Sequence, residues 1–273
     1  MTSNQTPGEF ATAARSGPAD PPQAFIDEVQ RAVVSRQPGM LRLLMRESAS
    51  YPWHGRATME IAAELEKLDI QPRWNHAILF TGHMIDAPTR QHPRFPSAAE
   101  PAARKAILRG LGALLAGCSA PAVGLAGAAS GGDLLFHEAC AELGIESRVR
   151  LTLPPDAYIV ASVGPAGKGW IDRFYALLDR LGTDAVEVLG ESEQLPAWMG
   201  ERPDYDVWQR TNLWLVEEGS ACAFHRSLLA LWDGKSGDGP GGTQHLVDAA
   251  PQLGVSTVNV IRTSSLIQSP AAG

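Results

Sequence analysis

Short apolar runs alternate with helical patterns along most of the chain. From residue 75 onward the runs recur at intervals of 25 to 45 residues, which is typical of strands and helices that build a parallel sheet covered on both faces. The predicted strands are 77–81, 122–126, 148–153, 185–189, 228–232 and 257–261. The predicted helices are 98–115, 133–143, 170–181, 205–218 and 243–253. Residues 75–262 are therefore predicted to form one α/β domain with a doubly wound, Rossmann-like parallel sheet.

The two ends of the chain have different patterns. Residues 1–22 are rich in Ser, Thr, Ala, Gly and Pro and contain few apolar residues, which predicts a disordered tail. Residues 23–72 carry apolar residues at helical spacing with breaks at Gly39 and at 51–55, which predicts a small appendage of two or three helices. We expect a flexible tail over 263–273.

Composition and charge narrow the classes of function. No run approaches the roughly 18 to 20 consecutive apolar residues that a membrane span needs, so no membrane partner is expected. With 23 Lys+Arg against 30 Asp+Glu, the net charge of -7 gives no general attraction to nucleic acid. Cys118, Cys140 and Cys222 are isolated, and the N-terminal segment has no export pattern. Both features predict a cytoplasmic location.

The candidate chemistry lies after the predicted strands, because ligands of open parallel sheets bind beyond the carboxyl ends of the strands. Two of these junctions are glycine-rich turns, 127–133 and 233–243, that lead directly into helices. Such turns offer backbone N–H groups and the positive end of a helix dipole to a phosphate. The alternative is that the glycines only make tight turns. The predicted ligand-binding residues are Thr81, Gly82, His83, Arg94, Gly127, Ala128, Ser130, Gly131, Gly132, Asp133, Asp233, Gly234, Gly241, Gly242 and Thr243.

Three segments resemble one known superfamily. Neither turn has the GxGxxG or GxxxxGK[ST] fingerprint. Instead, a strand end Thr81-Gly82-His83, the turn GAASGGD at 127–133 and the turn PGGT at 240–243 resemble the SLOG superfamily. The second segment is similar to the SGxAxGxD turn of its DprA-like members, and the third to the PGGxGT turn of its Lonely Guy enzymes. The resemblance covers 75–262 and implies a Rossmann-like domain that binds a nucleotide or nucleotide-derived ligand, as sensors in signalling systems do.

The departures from that superfamily separate the possible functions. Lonely Guy enzymes follow their turn with catalytic glutamates, whereas 242–248 contain no Glu. DprA-like proteins handle single-stranded DNA, but this chain shows no basic stripe with interleaved aromatics. The sequence thus favours binding or sensing of a nucleotide. The alternatives are a nucleoside-monophosphate phosphoribohydrolase-type N-glycosidase, with Glu138 or Asp233 as the catalytic acid or base, and a structural adaptor.

Individual residues complete the expectations. In the loop after the first strand, the Arg94 guanidinium could reach an anionic ligand. Asp133, at the start of a predicted helix, is interpreted first as a helix cap. His137 and Glu138 are neighbours on that helix and point about 100° apart, so they cannot share a metal ion. We expect no metal and no cofactor, and the N-terminal helices are expected to pack on the sheet or to mediate formation of a homo-oligomer.

Overall fold

The computed structural model describes residues 19–116, 121–237, 239 and 241–266. Most of the two predicted tails, together with Cys118 and Pro240, therefore lies outside the described residues. Within the predicted C-terminal tail, Thr263–Ser265 form a 3-10 turn in which Thr263 is fully buried.

Six parallel strands form one sheet, which confirms the predicted α/β class. The strand order is β4-β3-β2-β1-β5-β6, and each neighbouring pair is parallel. The strands are β1 Trp74–Gly82, β2 Ala122–Ala126, β3 Glu146–Leu151, β4 Val186–Val188, β5 Ala223–Trp232 and β6 Thr257–Arg262. The order reverses between β1 and β5, so the topological switch point lies at the carboxyl ends of these two strands.

Helices cover both faces of the sheet. They are α1 Gln23–Val34, α2 Pro38–Ser48, α3 His54–Leu68, α4 Glu100–Leu115, α5 Gly132–Glu142, α6 Pro155–Tyr158, α7 Lys168–Leu181, α8 Val207–Cys222 and α9 Thr243–Gln252. Helices α4, α5 and α7 pack on one face, and α8 and α9 pack on the other. The sequence pattern missed α6, because a single turn is too short to show a helical period. None of the helices in the described part of the chain has the length and apolar character of a membrane span.

The central strands are buried on both faces. In β1, Ile78 and Phe80 face α4 and α5, whereas Ala77 and Leu79 face α8 and α9, and all four are at most 1% exposed. A parallel strand between two helical layers needs apolar residues at every position rather than at alternate ones. This is why the runs in the sequence are continuous.

The N-terminal helices share a core with the α/β domain. Phe25 on α1 packs against Trp53 and Trp198, with ring centroids 4.6 and 4.9 Å away. Helix α2 packs along α8, and a Cβ on Gly39 would lie 2.7 Å from the Cα of Glu218. Glycine at this crossing lets the two helices approach closely. Residues 23–68 therefore contain three helices that pack on the α8 side of the sheet.

Candidate functional site

The switch point is closed by two loops that meet beyond the sheet. One loop follows β1 and contains His83 and Arg94, and the other follows β5 and begins at Asp233. The Nε and Nη2 atoms of Arg94 donate to the two carboxylate oxygens of Asp233 at 2.9 and 2.8 Å. The Nε2 atom of His83 lies 3.0 Å from Oδ1 of Asp233. The structure thus brings together three of the predicted site residues, two from the loop after β1 and one from the loop after β5. We call them the rim cluster: His83, Arg94 and Asp233.

Asp233 is the electrostatic centre of the rim cluster. Hydrogen bonds from Arg94 hold the pKa of its carboxyl well below the usual range, and the backbone N–H of Lys235 donates to the same group at 3.0 Å. Burial lowers the pKa of His83, so its ring is neutral at neutral pH. A carboxylate that already accepts from a guanidinium and a backbone amide is a weak proton acceptor. The rim cluster therefore joins the two loops rather than offering a free base.

In the first glycine-rich turn, 127–133, most backbone N–H groups are hydrogen-bonded within the protein. Four of its backbone N–H groups donate to protein acceptors: Ala128 to the Tyr158 hydroxyl at 3.1 Å, Ala129 to Oδ2 of Asp133 at 3.2 Å, Ser130 to the Ser162 carbonyl at 2.9 Å and Gly132 to the His83 carbonyl at 3.0 Å. A phosphate would have to displace these acceptors. The backbone N–H groups that were predicted to bind a phosphate are therefore hydrogen-bonded to other groups of the protein.

The glycines of the first turn allow two loops to pack backbone against backbone. Gly131 forms a β-bridge with Met84 in the loop after β1. A Cβ on Gly132 would lie 2.8 Å from the Cα of Gly82. Gly131 has φ of +93°, and a Cβ there would lie 2.5 Å from the backbone nitrogen of Ile85. These glycines meet a structural requirement, as in the alternative interpretation, although the contact is between loops rather than within one turn.

Asp133 links the turn 127–133 to the end of β1. Its carboxylate accepts from the Ala129 N–H, at 3.2 Å, and from the Gly82 N–H. Helix α5 begins at Gly132, and no side chain of residues 19–116, 121–237, 239 or 241–266 caps it. Asp133 therefore accepts from the turn before its helix and from the last residue of β1, rather than acting as the predicted cap of its own helix. Burial raises the pKa of its carboxyl to about 7, against the lowering effect of the two amides.

Replacing Asp133 with asparagine should change how stability depends on pH. An Asp of ordinary pKa, about 3.9, has lost its proton in the unfolded chain by pH 5, whereas the folded protein keeps it up to about pH 7. Stability of the native chain therefore falls as the pH rises through this window. Asparagine does not titrate, so the free energy of unfolding of Asp133→Asn, relative to the native chain, should rise by about 2 to 3 kcal/mol between pH 4.5 and 8.

Urea unfolding at several pH values measures this difference. The control is Asp179→Asn, which makes the same substitution at an exposed position on α7 and leaves the buried carboxyl in place. A pH-independent difference for Asp133→Asn would show that the buried carboxyl does not titrate in this range.

The second glycine-rich turn is more open than the first. Gly242 precedes α9 as its N-cap residue, and none of the side chains in the described part of the chain caps this helix. Among the described residues, the atom nearest to a Cβ on Gly242 would be the Gly239 carbonyl oxygen at 3.5 Å, so these residues leave the backbone there approachable. Gly241 packs against α8, where its carbonyl accepts from Nδ2 of Asn212 at 2.9 Å. Pro240 lies outside the described residues.

The remaining predicted site residues lie outside the rim cluster and the two helix starts. Thr81 and Gly82 are the last two residues of β1, and Gly234, with φ of +85°, turns the loop after Asp233. Glu138 accepts from Nε and Nη2 of Arg173, both at 2.7 Å. These bonds attach it to α7, and none of its hydrogen bonds is shared with Asp233. The structure therefore does not join the two predicted catalytic carboxylates.

A cavity of about 630 Å³ lies beyond the ends of β3 and β4, away from the predicted turns. Its walls come from α1, α2, the start of α8 and the segment 188–198. Sequence reasoning missed it because segments distant in sequence form its walls. The available signal was the pair of glutamates, Glu28 and Glu47, on the apolar faces of α1 and α2, where a buried carboxylate needs a partner.

Neither a metal-binding arrangement nor a similar protein identifies the function of this site. Among the described residues, no group of His, Cys, Asp and Glu is arranged to hold a metal ion. Comparisons of the chain with protein-family models, with curated proteins and with solved structures find no match. A function must therefore be inferred from the geometry and chemistry of the site.

Proposed function

We propose that the protein binds a nucleotide or a nucleotide-derived anion at the carboxyl edge of the sheet, with a phosphate on the N-terminal turn of α9. The observation that supports this most is the start of α9, which no side chain of the described residues caps and which follows the loop held by the rim cluster. The resemblance of the sequence to the SLOG superfamily supports the same assignment.

The start of α9 has the physical features of an anion site. The His245 N–H donates to the Gly242 carbonyl at 3.0 Å. The N–H groups of the two residues before it are at the helix end, where the helix dipole places partial positive charge. Gly242 has room for a ligand atom to approach the backbone. Lys235, in the same loop, has an exposed side chain that could supply a cation. The rim cluster holds the start of this loop in place.

This arrangement favours binding over hydrolysis. Cleavage of a glycosidic bond uses a pair of carboxylates that face the scissile bond. Glu138 is held in an ion pair with Arg173, and Asp233 is held in the rim cluster. The N-glycosidase alternative therefore lacks an assembled carboxylate pair at the predicted positions, and we assign the site to recognition of the ligand.

Thermal unfolding with AMP, ADP-ribose, NAD and inorganic phosphate tests the proposal. At about 100 times its dissociation constant a ligand adds about 2.7 kcal/mol of stability, which corresponds to a rise of several degrees in Tm. Gly242→Glu should abolish this rise, because a carboxylate at the start of α9 repels phosphate. Gly112→Glu makes the same change on α4, where a Cβ meets no atom within 4 Å, and should retain it.

Two results would contradict the proposal. One is the absence of any Tm change with all four compounds, and the other is equal binding by Gly242→Glu and the native chain. Release of free base from AMP or of nicotinamide from NAD would instead support the N-glycosidase alternative.

A further inference from the structure

The cavity beyond β3 and β4 has the size and position of a small-molecule site. Its volume of about 630 Å³ lies within the usual range of about 300 to 1,000 Å³. Thr152, which follows β3, and the segment after β4 both line it, so it opens at the ligand-binding edge of the sheet. Since the α9 turn follows β5, on the other side of the switch point, the cavity is a separate site.

Arg210 gives the cavity a directional hydrogen-bond donor. This residue is 2% exposed and lines the cavity. Its Nε and Nη2 atoms donate to Glu47 and Glu28 at 2.7 to 3.2 Å. None of these bonds uses its Nη1 atom, and Nη1 is not among the fully buried unpaired atoms of the described chain, so it is the part of the guanidinium that a ligand can reach. Because Arg210 lines the cavity, an acceptor on a bound molecule could complete its hydrogen bonding.

The charges around the cavity argue against an anionic ligand. Asp27, Glu28 and Glu191 line it, whereas its cations are Arg31 and Arg210. The guanidinium of Arg210 is already compensated by two carboxylates, Glu28 and Glu47. A phosphate or carboxylate would therefore enter a region with an excess of negative charge. A neutral carbonyl or hydroxyl oxygen can accept from Nη1 without that repulsion.

A rigid aromatic wall indicates a ring in the ligand. Trp198 lines the cavity and is held by a hydrogen bond from its Nε1 to Glu28 at 2.7 Å. Phe25, Tyr51 and Trp53 pack around the same indole. An indole fixed in this way loses little conformational entropy when a flat or puckered ring packs against it.

We infer that this cavity binds an uncharged, ring-containing molecule rich in hydroxyl groups, of the size of a nucleoside or a monosaccharide. The Arg210 guanidinium donates to an oxygen of this ligand, and Trp198 supports its ring. The site is independent of the proposed nucleotide site on α9.

Calorimetric titration of the full chain with adenosine and with glucose tests the inference and separates the two sources. Gly190→Trp is the main variant, because Gly190 lines the cavity and a Cβ there meets no atom within 4 Å. The new indole should fill the cavity and weaken binding at least tenfold. Gly169→Trp, at an exposed position on α7 that also has free space, is the control and should bind as the native chain does.

Each outcome decides the inference. Binding of adenosine or of glucose that is lost in Gly190→Trp and kept in Gly169→Trp supports it and identifies the class. Failure of both compounds at millimolar concentration overturns it, as does binding that survives in Gly190→Trp. If AMP binding is lost in Gly190→Trp as fully as adenosine binding, the assignment to uncharged ligands is wrong. Because Gly242→Glu should affect AMP and not adenosine, failure at one site is distinguishable from failure at the other.

Discussion

Replacing Arg210 with methionine should lower the free energy of unfolding by about 3 to 5 kcal/mol. The substitution keeps a long side chain but leaves Glu28 and Glu47, 9% and 6% exposed, without their cation. A buried carboxylate that loses its partner carries the full cost of its removal from water. The ion pairs of Arg210 with Glu28 and Glu47, which we call the buried network, join α8 to α1 and α2. Their loss should loosen the contact between the N-terminal helices and the α/β domain. Urea unfolding followed by circular dichroism measures the effect.

Two further variants isolate the cause of this loss. Arg104→Met breaks an exposed ion pair with Glu142, 45% and 46% exposed, and should cost at most about 1 kcal/mol. Adding Glu28→Gln and Glu47→Gln to Arg210→Met removes the uncompensated charges and should restore part of the stability. If the single variant is as stable as the native chain, the network does not hold the N-terminal helices in place.

The sheet was predictable from the sequence because its central strands are buried on both faces. The run 77–80 needs no pattern beyond continuous apolar residues, and it lies within β1. The strand beginnings were not predictable in the same way. His76 pairs with His225 at the amino ends of β1 and β5, and these polar residues join the ladder through backbone hydrogen bonds that do not depend on side-chain hydropathy.

The sequence could not show which glycine-rich turn has backbone N–H groups available to a ligand. The turns at 127–133 and 233–243 look alike as glycine-rich segments that lead into helices. They differ in what lies against them: the His83 carbonyl and the Tyr158 hydroxyl occupy the amides of the first. Both groups come from other parts of the chain, so local sequence carries no sign of them. Arg94 and Asp233 were predicted at the same rim, but their pairing depends on the loop that carries Arg94 across it.

The partners in the buried network were also not predictable from local sequence, because they lie far apart along the chain. Glu28 occupies the apolar face of α1 near Phe25, so a polar partner could be expected for it. That partner, Arg210, lies 182 residues further along the chain. Periodicity identifies which face of a helix is buried, but it does not identify the helix that covers that face.

Replacing Gly131 with alanine should lower the free energy of unfolding by about 3 kcal/mol or more. Two costs combine. With φ of +93° the backbone is in a region that L-residues rarely adopt, which costs about 1 to 3 kcal/mol. The added Cβ would also meet the Ile85 nitrogen at 2.5 Å and the His83 carbonyl oxygen at 2.8 Å. Because these neighbours are backbone atoms, the clash can be removed only if the turn 127–133 moves away from the loop after β1.

Gly144→Ala separates the cost of conformation from the cost of contact. Gly144 also has a positive φ, +68°, but a Cβ there meets no atom within 4 Å. Its replacement should therefore cost only about 1 kcal/mol. Urea unfolding of both variants gives the comparison, and equal losses would mean that the loops yield without cost. Since Gly131 bridges the loop that carries His83 and Arg94, its alanine variant should also weaken binding of AMP, whereas Gly144→Ala, at the opposite end of α5, should bind AMP as the native chain does.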